Sequence, residues 1–523
     1  RTEQGEARLY DFFAMREGGR EHPRRELIRV LEGVAGEVAF AIEIVPRLDY
    51  GETTPWIYRY GEHTFAAVGS NEGLVVASDI EFEVITDCSL NARLSVRKGD
   101  RYHLSVQFVP PERVDSGEFE IPDPRELDRR LDETREWWRT WAGKMSVKDA
   151  GRACVMRSAI VLKALQFAPT GAIIAAPTTS LPEGIGTERN WDYRYSWLRD
   201  SIFTVHSLAN LGCEGEADGF RRFIQRSAAG SSDELQVMYG CDGRRRLPEI
   251  ELEFLEGYRR SRPVRIGNGA ERQFQADMYG LVLELAWRWA QRGNSPDPAY
   301  WKFLTRIVEA ALRRWQEPDR GIWEIRSEPR HFVHSKVMCW AAVNRGVALC
   351  ESFALSAPAE RWRAAREEMR AVIEDRGYDR SRGIFVQAFG ARALDAALLL
   401  LPEVEFVDYG DARMVRTVDA ICEELNDHGL ILRYRTDDGL RGTEGVFLAC
   451  SFWLAGCLAR QNRREAARQW FDRAMACAND VGLFAEEYDP RSGLMLGNFP
   501  QGLTHLAHVS AALALSEKLG VAA

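Results

Sequence analysis

Lysine is scarce in this chain of 523 residues: only seven of the 69 basic side chains are lysines, and the rest are arginines. The chain also lacks a basic block or tail, and its formal net charge is −9. Nucleic acids and anionic membranes select for basic surfaces, so neither is expected as a main partner. No apolar run approaches the roughly 20 residues that span a bilayer. The first residues, RTEQGEARLYDFF, contain no signal-peptide core, and we therefore expect a cytoplasmic protein.

Cysteine pairs of the CxxC type are absent, although the chain contains ten cysteines, most of them in apolar stretches. This usage predicts buried free thiols in a reducing compartment. Hydrophobic residues make up 45% and charged residues 28% of the chain, as is typical of a globular protein. The length suggests two to four domains, although one large helical domain can account for most of it.

Short runs of alternating apolar and polar residues fill the region from Leu27 to Pro110, for example EVAFAIEIVP and YHLSVQFVP. Alternation with a period of two, interrupted by Gly, Asp and Asn, predicts an antiparallel sheet with one buried face. We assign residues 1–121 to a β-sandwich domain. The region holds no converging set of catalytic residue types, so a supporting role is predicted for it.

A charged stretch, IPDPRELDRRLDETREWWRTWAGK, follows the predicted sandwich. Its proline pair and acidic first turn are typical of a helix N-terminus. We therefore predict a linker helix over residues 122–148, and the domain boundary falls there. Residues 149–523 then form the second domain.

Helical periodicity dominates this second domain. The predicted helices lie near residues 151–167, 198–212, 215–228, 271–292, 298–317, 335–353, 358–376, 391–402, 412–427, 444–460, 463–480 and 502–519. In the fourth of them Phe274, Met278, Leu281, Leu285 and Trp289 fall on one helix face. Twelve helices in consecutive pairs, without a solenoid repeat signature, predict a closed ring of helical hairpins and a mainly α fold.

Five loops between the predicted helices carry the unusual residues. They are GIGTERNWDYRYSWLRD (184–200), the segment 250–269 with SRPVRIGN, GIWEIRSEPRHFVHSK (321–336), RYRTDDGLRGTEG (433–445) and VGLFAEEYDP (481–490). They share Trp, Tyr, Arg and carboxylates and contain little Lys or Ser. Aromatic faces stack on sugar rings, and Arg and Asp bind pairs of hydroxyls, so the loops indicate a carbohydrate site.

Hydrolysis of an acetal needs a carboxylic acid that protonates the leaving oxygen and a carboxylate that acts as base or nucleophile. Glu324 follows Trp323, whose ring can desolvate the carboxyl group and raise its pKa, as suits a general acid. Glu486 and Glu487 lie in another loop, far along the chain. They are the candidates for the second carboxylate.

The chain resembles glycoside hydrolase family 15, the glucoamylase family, over essentially its whole length. The resemblance is carried by the strings WDYRYSWLRDS, WEIRSEPRHFVHSKVM, EGVFLACSFWL and LFAEEYDP. It is closest to the bacterial branch of glucoamylase-like α-glucosidases, isomaltose hydrolases and trehalases. It implies an (α/α)6 barrel behind a β-sandwich, and hydrolysis of α-glucosidic bonds from the non-reducing end with inversion, which releases β-glucose. It implies neither a metal nor an organic cofactor.

Roles carried over from the family's motifs make Glu324 the general acid and Glu486 the general base, with Glu487 beside the base. Arg199 and Asp200 of WLRD match the pair that holds the hydroxyls of the terminal glucose. The other residues implied at the substrate site are Trp191, Trp323, Arg433, His334, Lys336 and Glu444. Inversion implies that the two catalytic carboxyl groups lie roughly 6.5–9.5 Å apart with a water between them.

Two departures from the family pattern lead to further expectations. The bacterial branch usually has another β segment before the region where this chain begins, so we expect the sandwich to be incomplete at its N-terminus. The loop DDGLRGTEG is short for the branch, which predicts residues missing near Arg441, beside the site.

Two further patterns suggest other chemistry and are interpreted as structural. GIGTER at Gly184 lacks a preceding parallel strand and a closing GK[ST], which argues against nucleotide binding. His331 with His334, and His505 with His508, have the spacing of a shared metal site, but no HExxH motif or third ligand is nearby. We expect packed or surface histidines.

Two alternative functions stay open from the sequence. A phosphorylase of α-glucosides on the same barrel keeps one acid and replaces the base by a phosphate site, and the presence of Glu486 argues against it. A carbohydrate-binding protein with an inactive site does not need both carboxylates. Within the hydrolases, trehalose, maltose, isomaltose and short α-glucans all remain candidate substrates, and a homo-oligomer is compatible with the sequence.

Overall fold

The computed structural model describes residues 1–85, 88–146, 151–213, 215–228 and 235–517. The chain divides into two compact units, Arg1–Lys144 and Met145–Ala523. No helix in the described ranges combines the length and the apolar character that a membrane span requires.

Antiparallel strands and two helices form the first unit. The strands are β1 (Gly5–Phe13), β2 (Glu26–Ile44), β3 (Trp56–Gly61), β4 (Thr64–Gly69), β5 (Glu72–Ser78), β6 (Glu83–Ile85), β7 (Ser89–Arg97) and β8 (Arg101–Phe108), followed by helices α1 (Pro111–Asp115) and α2 (Pro124–Gly143). The strand order is β3-β4-β5-β8-β2-β7-β6. Strand β1 lies outside this order and pairs with β2. The predicted antiparallel β domain is confirmed.

The long strand β2 pairs with two different sets of strands. Its first part pairs with β1 and β8, and its last part pairs with β7. Gly33 lies where the partners change, and a Cβ atom there would meet the carbonyl oxygen of Arg97 at 1.9 Å. A residue with a side chain therefore does not fit at this crossing. Phe65, Val76 and Leu90, from β4, β5 and β7, share one core on the inner face.

Helix α2 belongs to the first unit. Asp123 caps it by accepting a hydrogen bond from the backbone nitrogen of Glu126, and a proline begins the first turn. Leu127 and Leu131 of the helix then pack on the inner residues of β2, Ile28 and Val30. The helix thus continues the β domain and covers one part of its sheet.

Twelve helical segments of nine or more residues form the framework of the described second unit. They are α3 (Arg152–Ala164), α4 (Leu198–Asn210), α5 (Gly215–Ser227), α6 (Asp277–Gln291), α7 (Pro298–Arg314), α8 (Val333–Ser352), α9 (Ala359–Arg376), a 3-10 helix (Ala396–Val404), α10 (Ala412–Glu424), α11 (Leu448–Arg460), α12 (Arg464–Met475) and α13 (Gly502–Ser516). All twelve helices predicted from periodicity are present.

Six of these segments form a closed inner ring. The neighbours around the ring are α4, α6, α8, the 3-10 helix, α11 and α13, and α13 packs back on α4. Inner helices are buried on most sides, as α11 shows from Leu448 to Ala459. Outer helices are amphipathic, and α9 buries only Trp362, Met369 and Ile373. The expected (α/α)6 barrel is confirmed.

Short antiparallel strands link the helices of the barrel. The paired segments are Gln166–Phe167 with Ala172–Ile173, Ser196–Trp197 with Met238–Tyr239, Ile250–Glu251 with Arg265–Ile266, Tyr378–Asp379 with Ile384–Phe385, Asn426–Asp427 with Leu430–Ile431, and Val446–Phe447 with Glu487–Asp489, which also pairs with Leu494–Leu496. Two of these strands run directly into the inner helices α4 and α11. They fix the backbone on which the loop residues stand.

The ten cysteines form no disulfide bond among the described residues. Six of them are buried, and Cys88, Cys241 and Cys422 are partly buried. The prediction of buried thiols is wrong for Cys154, which is exposed on the outer helix α3. An apolar sequence context does not locate a residue on the inner or the outer face of such a helix.

Candidate active site

Two adjoining cavities in the second unit bring most of the predicted site residues together. They have volumes of about 40 and 30 Å³ and share Tyr193, Trp323, Glu324 and Arg433. The predicted residues that line one or both are Trp191, Arg199, Asp200, Trp323, Glu324, Arg433 and Glu486. The shared side chains therefore form a common wall between the two cavities.

Glu324 stands on an unusual turn. Its φ angle is 59°, in the left-handed region that residues with a side chain rarely adopt. The turn is held by the Glu324 backbone nitrogen, which donates to the carbonyl of Gly321, and by the Glu324 carbonyl, which accepts from the Gln273 side chain. Backbone strain of this kind concentrates at functional sites. It aims the Glu324 carboxyl group at the shared wall of the two cavities.

The Glu324 carboxyl group has few polar neighbours. The indole nitrogen of Trp197 donates to its Oε1 atom at 2.6 Å, and the Arg199 guanidinium lies 4.0 Å from the same atom. Burial raises the pKa of Glu324, and the charge of Arg199 and the Trp197 hydrogen bond offset only part of this effect. The carboxyl group is therefore held toward its protonated form.

Arg199 and Asp200 lie in the first turn of α4 and face the same cavity as Glu324. Arg199 contacts both oxygens of Asp200 at 3.4 Å and donates to the carbonyl of Ile322 at 2.6 Å. The backbone contact ties α4 to the turn that carries Glu324. An ionised guanidinium and a carboxylate in fixed positions are suited to binding the hydroxyls of a neutral sugar.

Glu486 is almost fully buried and lines the cavity beside Arg199 and Asp200. Its backbone is held on both sides, since its nitrogen donates to Asn498 and its carbonyl accepts from Leu448. The Oε2 atom has no hydrogen-bond partner among the described residues. Burial and the negative charge of Glu183 raise the pKa of Glu486 well above its ordinary value, although Arg433 acts in the opposite direction.

Glu487 points away from both cavities. One of its carboxylate oxygens accepts from the backbone nitrogen of Gly445 at 2.8 Å, and its side chain is fully buried. Burial, followed by the charges of Glu183 and Glu444, raises its pKa well above the ordinary value. Glu487 begins the short strand Glu487–Asp489, and Glu486, directly before it, lines the cavity.

Arg433 is the centre of the charged network. It donates to both oxygens of Glu444, and its Nη2 atom lies 3.5 Å from Glu183 Oε2 and 4.0 Å from Glu487 Oε1. Its ring neighbours include Trp323, at 5.8 Å. Arg433 therefore supplies the positive charge for three buried or partly buried carboxylates at once.

Glu183, Glu444 and Glu487 are also the one group in the described ranges whose side chains could together hold a metal ion. Their ligand atoms lie within 4.8 Å of one another. Arg433 contacts the same three side chains, and Arg189 adds a second guanidinium 3.0 Å from Glu444. Since arginine already balances these charges, the donor set favours an ion-pair network over a cation site.

Trp323 and Trp191 form rigid walls. The Trp323 indole donates to Asp395 at 2.8 Å, and its ring packs against Phe447 and Trp453. The Trp191 ring is covered by two guanidinium groups, those of Arg265 and Arg326, at 4.8 and 5.0 Å. Both rings are buried to nine-tenths or more, so they offer edges and small faces to the cavities.

His334, Lys336, Glu444 and Glu487 are predicted site residues that line neither cavity. The Lys336 ammonium group is fully buried and donates to the carbonyl of Glu317. His334 is buried behind Arg199, where burial and that positive charge lower its pKa to about 3. Glu444 reaches the site only through the two arginines. The positions of these four residues indicate that they support the pocket from behind its lining.

Four residues with clear positions in the site are missing from the sequence prediction: Glu183, Arg189, Tyr193 and Trp197. Glu183 lies one residue before the loop that was singled out, and Arg189, Tyr193 and Trp197 lie inside it. Arg189 binds Asp438 through two hydrogen bonds of 2.8 and 2.9 Å. The many aromatic and charged residues of this loop indicate a functional site, but the order of residues in the loop does not show which side chains face the pocket.

The paired histidines are packed, as expected for His505 and His508. Both donate to or accept from Ser158 through Nδ1 at 2.8 Å, and His505 also accepts from the backbone nitrogen of Phe484. Burial lowers the pKa of the two histidines to about 3 and about 4. They therefore act as neutral hydrogen-bonding residues between α3 and α13.

Comparison with known proteins places the chain in one family. The model of glycosyl hydrolases family 15 matches residues 150–513. A trehalase of Mycobacterium tuberculosis is 41% identical over 502 residues, which cover 93% of this chain and 72% of that protein. A trehalase of Thermoplasma volcanium is 35% identical over 522 residues, or 98% of this chain and 81% of that protein.

Solved structures agree on the fold. A bacterial glucoamylase in complex with acarbose has a TM-score of 0.71 at 12% identity, over 96% of this chain and 81% of its own. All the residues that line the two cavities lie within the part of the chain that the family model matches. The chain belongs to family 15 of the glycosyl hydrolases and is a glycoside hydrolase that acts on O-glycosyl bonds.

Proposed function

We propose that this enzyme hydrolyses the bond of a terminal, non-reducing α-glucose with inversion and releases β-glucose, with Glu324 as general acid and Glu486 as general base. One observation carries the proposal. Glu324 and Glu486, 162 positions apart by their residue numbers, line the same cavity as Arg199 and Asp200. A pocket with one acid, one base and hydroxyl-binding groups contains the parts that inverting hydrolysis of an acetal requires.

The acid step falls to Glu324. Because the Trp197 indole occupies Oε1, the proton of the neutral acid belongs on Oε2. Burial raises the pKa of Glu324, so the acid form persists at higher pH than for an exposed glutamate. Transfer of this proton to the glycosidic oxygen lets the leaving sugar depart as an alcohol.

The base step falls to Glu486. Its carboxylate group lines the cavity and can accept a proton from a water that attacks the anomeric carbon. Burial raises the pKa of Glu486, which makes the ionised carboxylate a stronger base than an exposed one. Arg433 and the Tyr193 hydroxyl favour the ionised form. The two carboxyl groups then account for both proton transfers.

Binding of the sugar falls to Arg199 and Asp200, with Trp323 as a wall and Trp191 farther out. Asp200 is 3% exposed, so its contact with a hydroxyl group is shielded from water. Oriented binding of the terminal ring places the anomeric carbon between acid and base, which lowers the entropic part of the barrier.

Among α-glucosides, α,α-trehalose is the substrate we propose. The relatives in the comparison are named trehalases, and the first two are 41% identical to this chain over 93% of its length. The test is kcat/KM on trehalose, maltose, isomaltose and maltotriose. We expect the highest value on trehalose. A higher value on any of the others overturns the substrate assignment and leaves the chemistry intact.

The phosphorylase alternative is disfavoured by charge. The negative charge of Glu183 acts on the proposed base Glu486, and a carboxylate at this position repels a phosphate nucleophile. Product analysis in phosphate buffer separates the two reactions, because a phosphorylase forms glucose 1-phosphate. We expect free glucose only. An inactive carbohydrate-binding protein is ruled out by turnover of any sugar in the panel.

A further inference from the structure

A cavity of about 390 Å³, separate from the two cavities of the candidate active site, lies inside the inner ring of helices and is called the second cavity. Helices α4, α6, α11 and α13 and the 3-10 helix contribute to its lining. Asp200 near the start of α4 lines the candidate active site, whereas His206 and Asn210 toward its end line this second cavity. His206 lies six positions after Asp200 in the helix, which corresponds to a rise of about 9 Å along the helix axis. The two cavities therefore lie at different levels of the same barrel.

A pair of indole rings stands between the two levels. Trp453 lines the second cavity, and its ring centre lies 5.7 Å from that of Trp323, which lines the candidate active site. Trp323 is fixed by its hydrogen bond to Asp395. The second cavity is thus a compartment of its own.

His206 is the most informative residue in this cavity. It is only 5% exposed, and neither of its ring nitrogens has a hydrogen-bond partner among the described residues. Burial, with the charges of Arg288 and Arg292, lowers its pKa well below the ordinary value. A neutral imidazole offers one N–H donor and one acceptor nitrogen. Buried polar groups are normally hydrogen-bonded, and a hydroxyl group can accept from the N–H donor or donate to the acceptor nitrogen.

Three charged residues of the cavity lining, Arg288, Glu403 and Arg460, are already in ion pairs. Arg288 donates to Glu284 at 2.5 Å, and Arg460 lies 3.1 Å from Glu403. Burial alone would raise the pKa of Glu403, but the charges of Arg460 and Arg288 lower it, so this carboxylate is ionised. An anion would have to compete with these carboxylates for the guanidinium groups. The arrangement therefore favours a neutral ligand over a phosphate or a carboxylate.

The rest of the lining is aromatic and aliphatic. Phe452 and Trp453 contribute rings, and Leu399 and Leu506 contribute aliphatic surface. Apolar walls with a few placed polar groups are typical of sites for small organic molecules, and about 390 Å³ lies in their usual range of volumes. Ring faces of this kind can pack on the C–H faces of a pyranose, and the polar side chains of His206 and Asn210 can bind its hydroxyls.

We propose that this cavity is a second binding site, which takes a neutral, hydroxyl-rich ring of monosaccharide size. Its contacts are hydrogen bonds to His206 and packing on Trp453. The site does not depend on the proposed function of Glu324 and Glu486, because none of its residues lines the candidate active site.

Equilibrium dialysis of labelled D-glucose against the concentrated, full-length protein tests this site. We compare the wild type, Asp200→Ala, His206→Phe and the double variant. His206→Phe keeps an aromatic ring and removes both hydrogen-bonding atoms, and Asp200→Ala removes a hydroxyl contact in the candidate active site. We expect two glucose molecules bound per chain in the wild type, one in each single variant and none in the double variant.

Two measurements keep the result interpretable. The melting temperature of His206→Phe must stay near that of the wild type, and Ser510→Leu, which narrows the cavity from α13, gives an independent second variant. Turnover by His206→Phe should stay within about threefold of the wild type, since the residue lies outside the catalytic cavity.

Three outcomes overturn the proposal. One is a single glucose bound in the wild type and none in Asp200→Ala. Another is glucose binding to Asp200→Ala that neither His206→Phe nor Ser510→Leu reduces. The third is one labelled inorganic phosphate bound per chain and lost in His206→Phe, which would make the cavity an anion site. Failure of the proposed hydrolysis, by contrast, does not affect the one glucose molecule that His206→Phe is expected to remove.

Discussion

Three buried glutamates, Glu183, Glu486 and Glu487, share the charges of two arginines beside the candidate active site. Moving several carboxylates out of water is costly, so burial raises the pKa of each of the three. Their charges also act on one another, and each ionised member makes the next harder to ionise. The protonation of the proposed base is therefore set by its neighbours as well as by its own burial.

The Glu183→Gln variant tests this coupling. Glu183 is the leading charged group that raises the pKa of Glu486, so removal of its charge lowers that pKa. Glu486 must be ionised to act as base, and activity falls as the pH drops through its pKa. We expect the acidic limb of the kcat/KM profile to move toward lower pH.

The alkaline limb of the same profile is the internal control. It reports Glu324, which must be protonated and whose pKa is raised chiefly by burial, with Glu183 absent from its main influences. This limb should stay in place in Glu183→Gln. An acidic limb that does not move, or that moves toward higher pH, contradicts the assignment of Glu486 as the base coupled to Glu183.

Replacement of the carboxyl groups themselves tests the two roles. We expect Glu324→Gln and Glu486→Gln to lower kcat by about 10²–10⁴ or more, because each removes a proton donor or acceptor from the reaction. Glutamine keeps the size of the side chain, so the melting temperature should change little. Kinetics on trehalose and a thermal melt measure both effects.

Glu487→Gln is the matched control for these variants. It changes the adjacent residue, which faces away from the cavities and accepts from Gly445. Its loss of kcat should be clearly smaller than that of Glu486→Gln. A larger loss in Glu487→Gln would exchange the roles of the two residues.

The turn at Gly497 shows how a short element supports the proposed base. Its φ angle is +68°, and a Cβ atom there would lie 2.6 Å from Glu486 Oε2. Gly497→Ala therefore strains the turn and displaces the carboxylate. We expect kcat to fall at least tenfold while trehalose binding changes less, because the proposed sugar contacts at Arg199 and Asp200 are not touched. Unchanged kcat would show that the Glu486 position is not critical.

A second element contact, in the first unit, predicts a pH-dependent stability. His103 of β8 lies between Asp79 and Asp128 of α2, with ring nitrogens 2.7 and 3.0 Å from the carboxylates. Burial alone would lower its pKa, but the two hydrogen bonds and charges raise it above the ordinary value. The folded state thus binds a proton more tightly than the unfolded chain does.

The resulting stability is fully present below the unfolded pKa of about 6.5 and is lost as the pH rises through the folded pKa. We expect His103→Gln to lower the free energy of unfolding by about 1–3 kcal/mol at pH 6, and by less at pH 9. Urea unfolding at the two pH values, followed by circular dichroism, measures the difference. A loss that grows with pH contradicts the charged pairing.

The periodicity of apolar residues predicts where the helices lie, but it does not predict their exact ends or their type. A four-residue spacing of apolar side chains located α6, but its predicted start at residue 271 lies in a separate 3-10 turn, Gly269–Arg272. The double pairing of β2 was not predictable, because alternation alone does not reveal which neighbours a strand has. Lys336 and His334 stand in recognisable strings, yet they are buried behind the pocket, since the order of residues does not give the direction of a side chain.

In the whole molecule, closure of the inner ring explains why the candidate site draws on distant parts of the sequence. The first turn of α4 supplies Asp200, the loops before α8, α11 and α13 supply Glu324, Glu444 and Glu486, and contacts around the ring bring them together. The sequence identified these loops by composition, and the family resemblance supplied the two catalytic candidates. It did not reveal Glu183 or the second cavity, because both arise from packing between helices.

The stereochemistry of hydrolysis tests the central proposal most directly. In α,α-trehalose both sugars are α-linked, so inversion at one anomeric carbon yields equal amounts of α- and β-glucose in the first turnovers, and retention yields α-glucose alone. Proton NMR of the anomeric signals during early hydrolysis measures this ratio before mutarotation. We predict equal amounts of the two anomers. Release of α-glucose alone would contradict the assignment of Glu486 as a base that activates water.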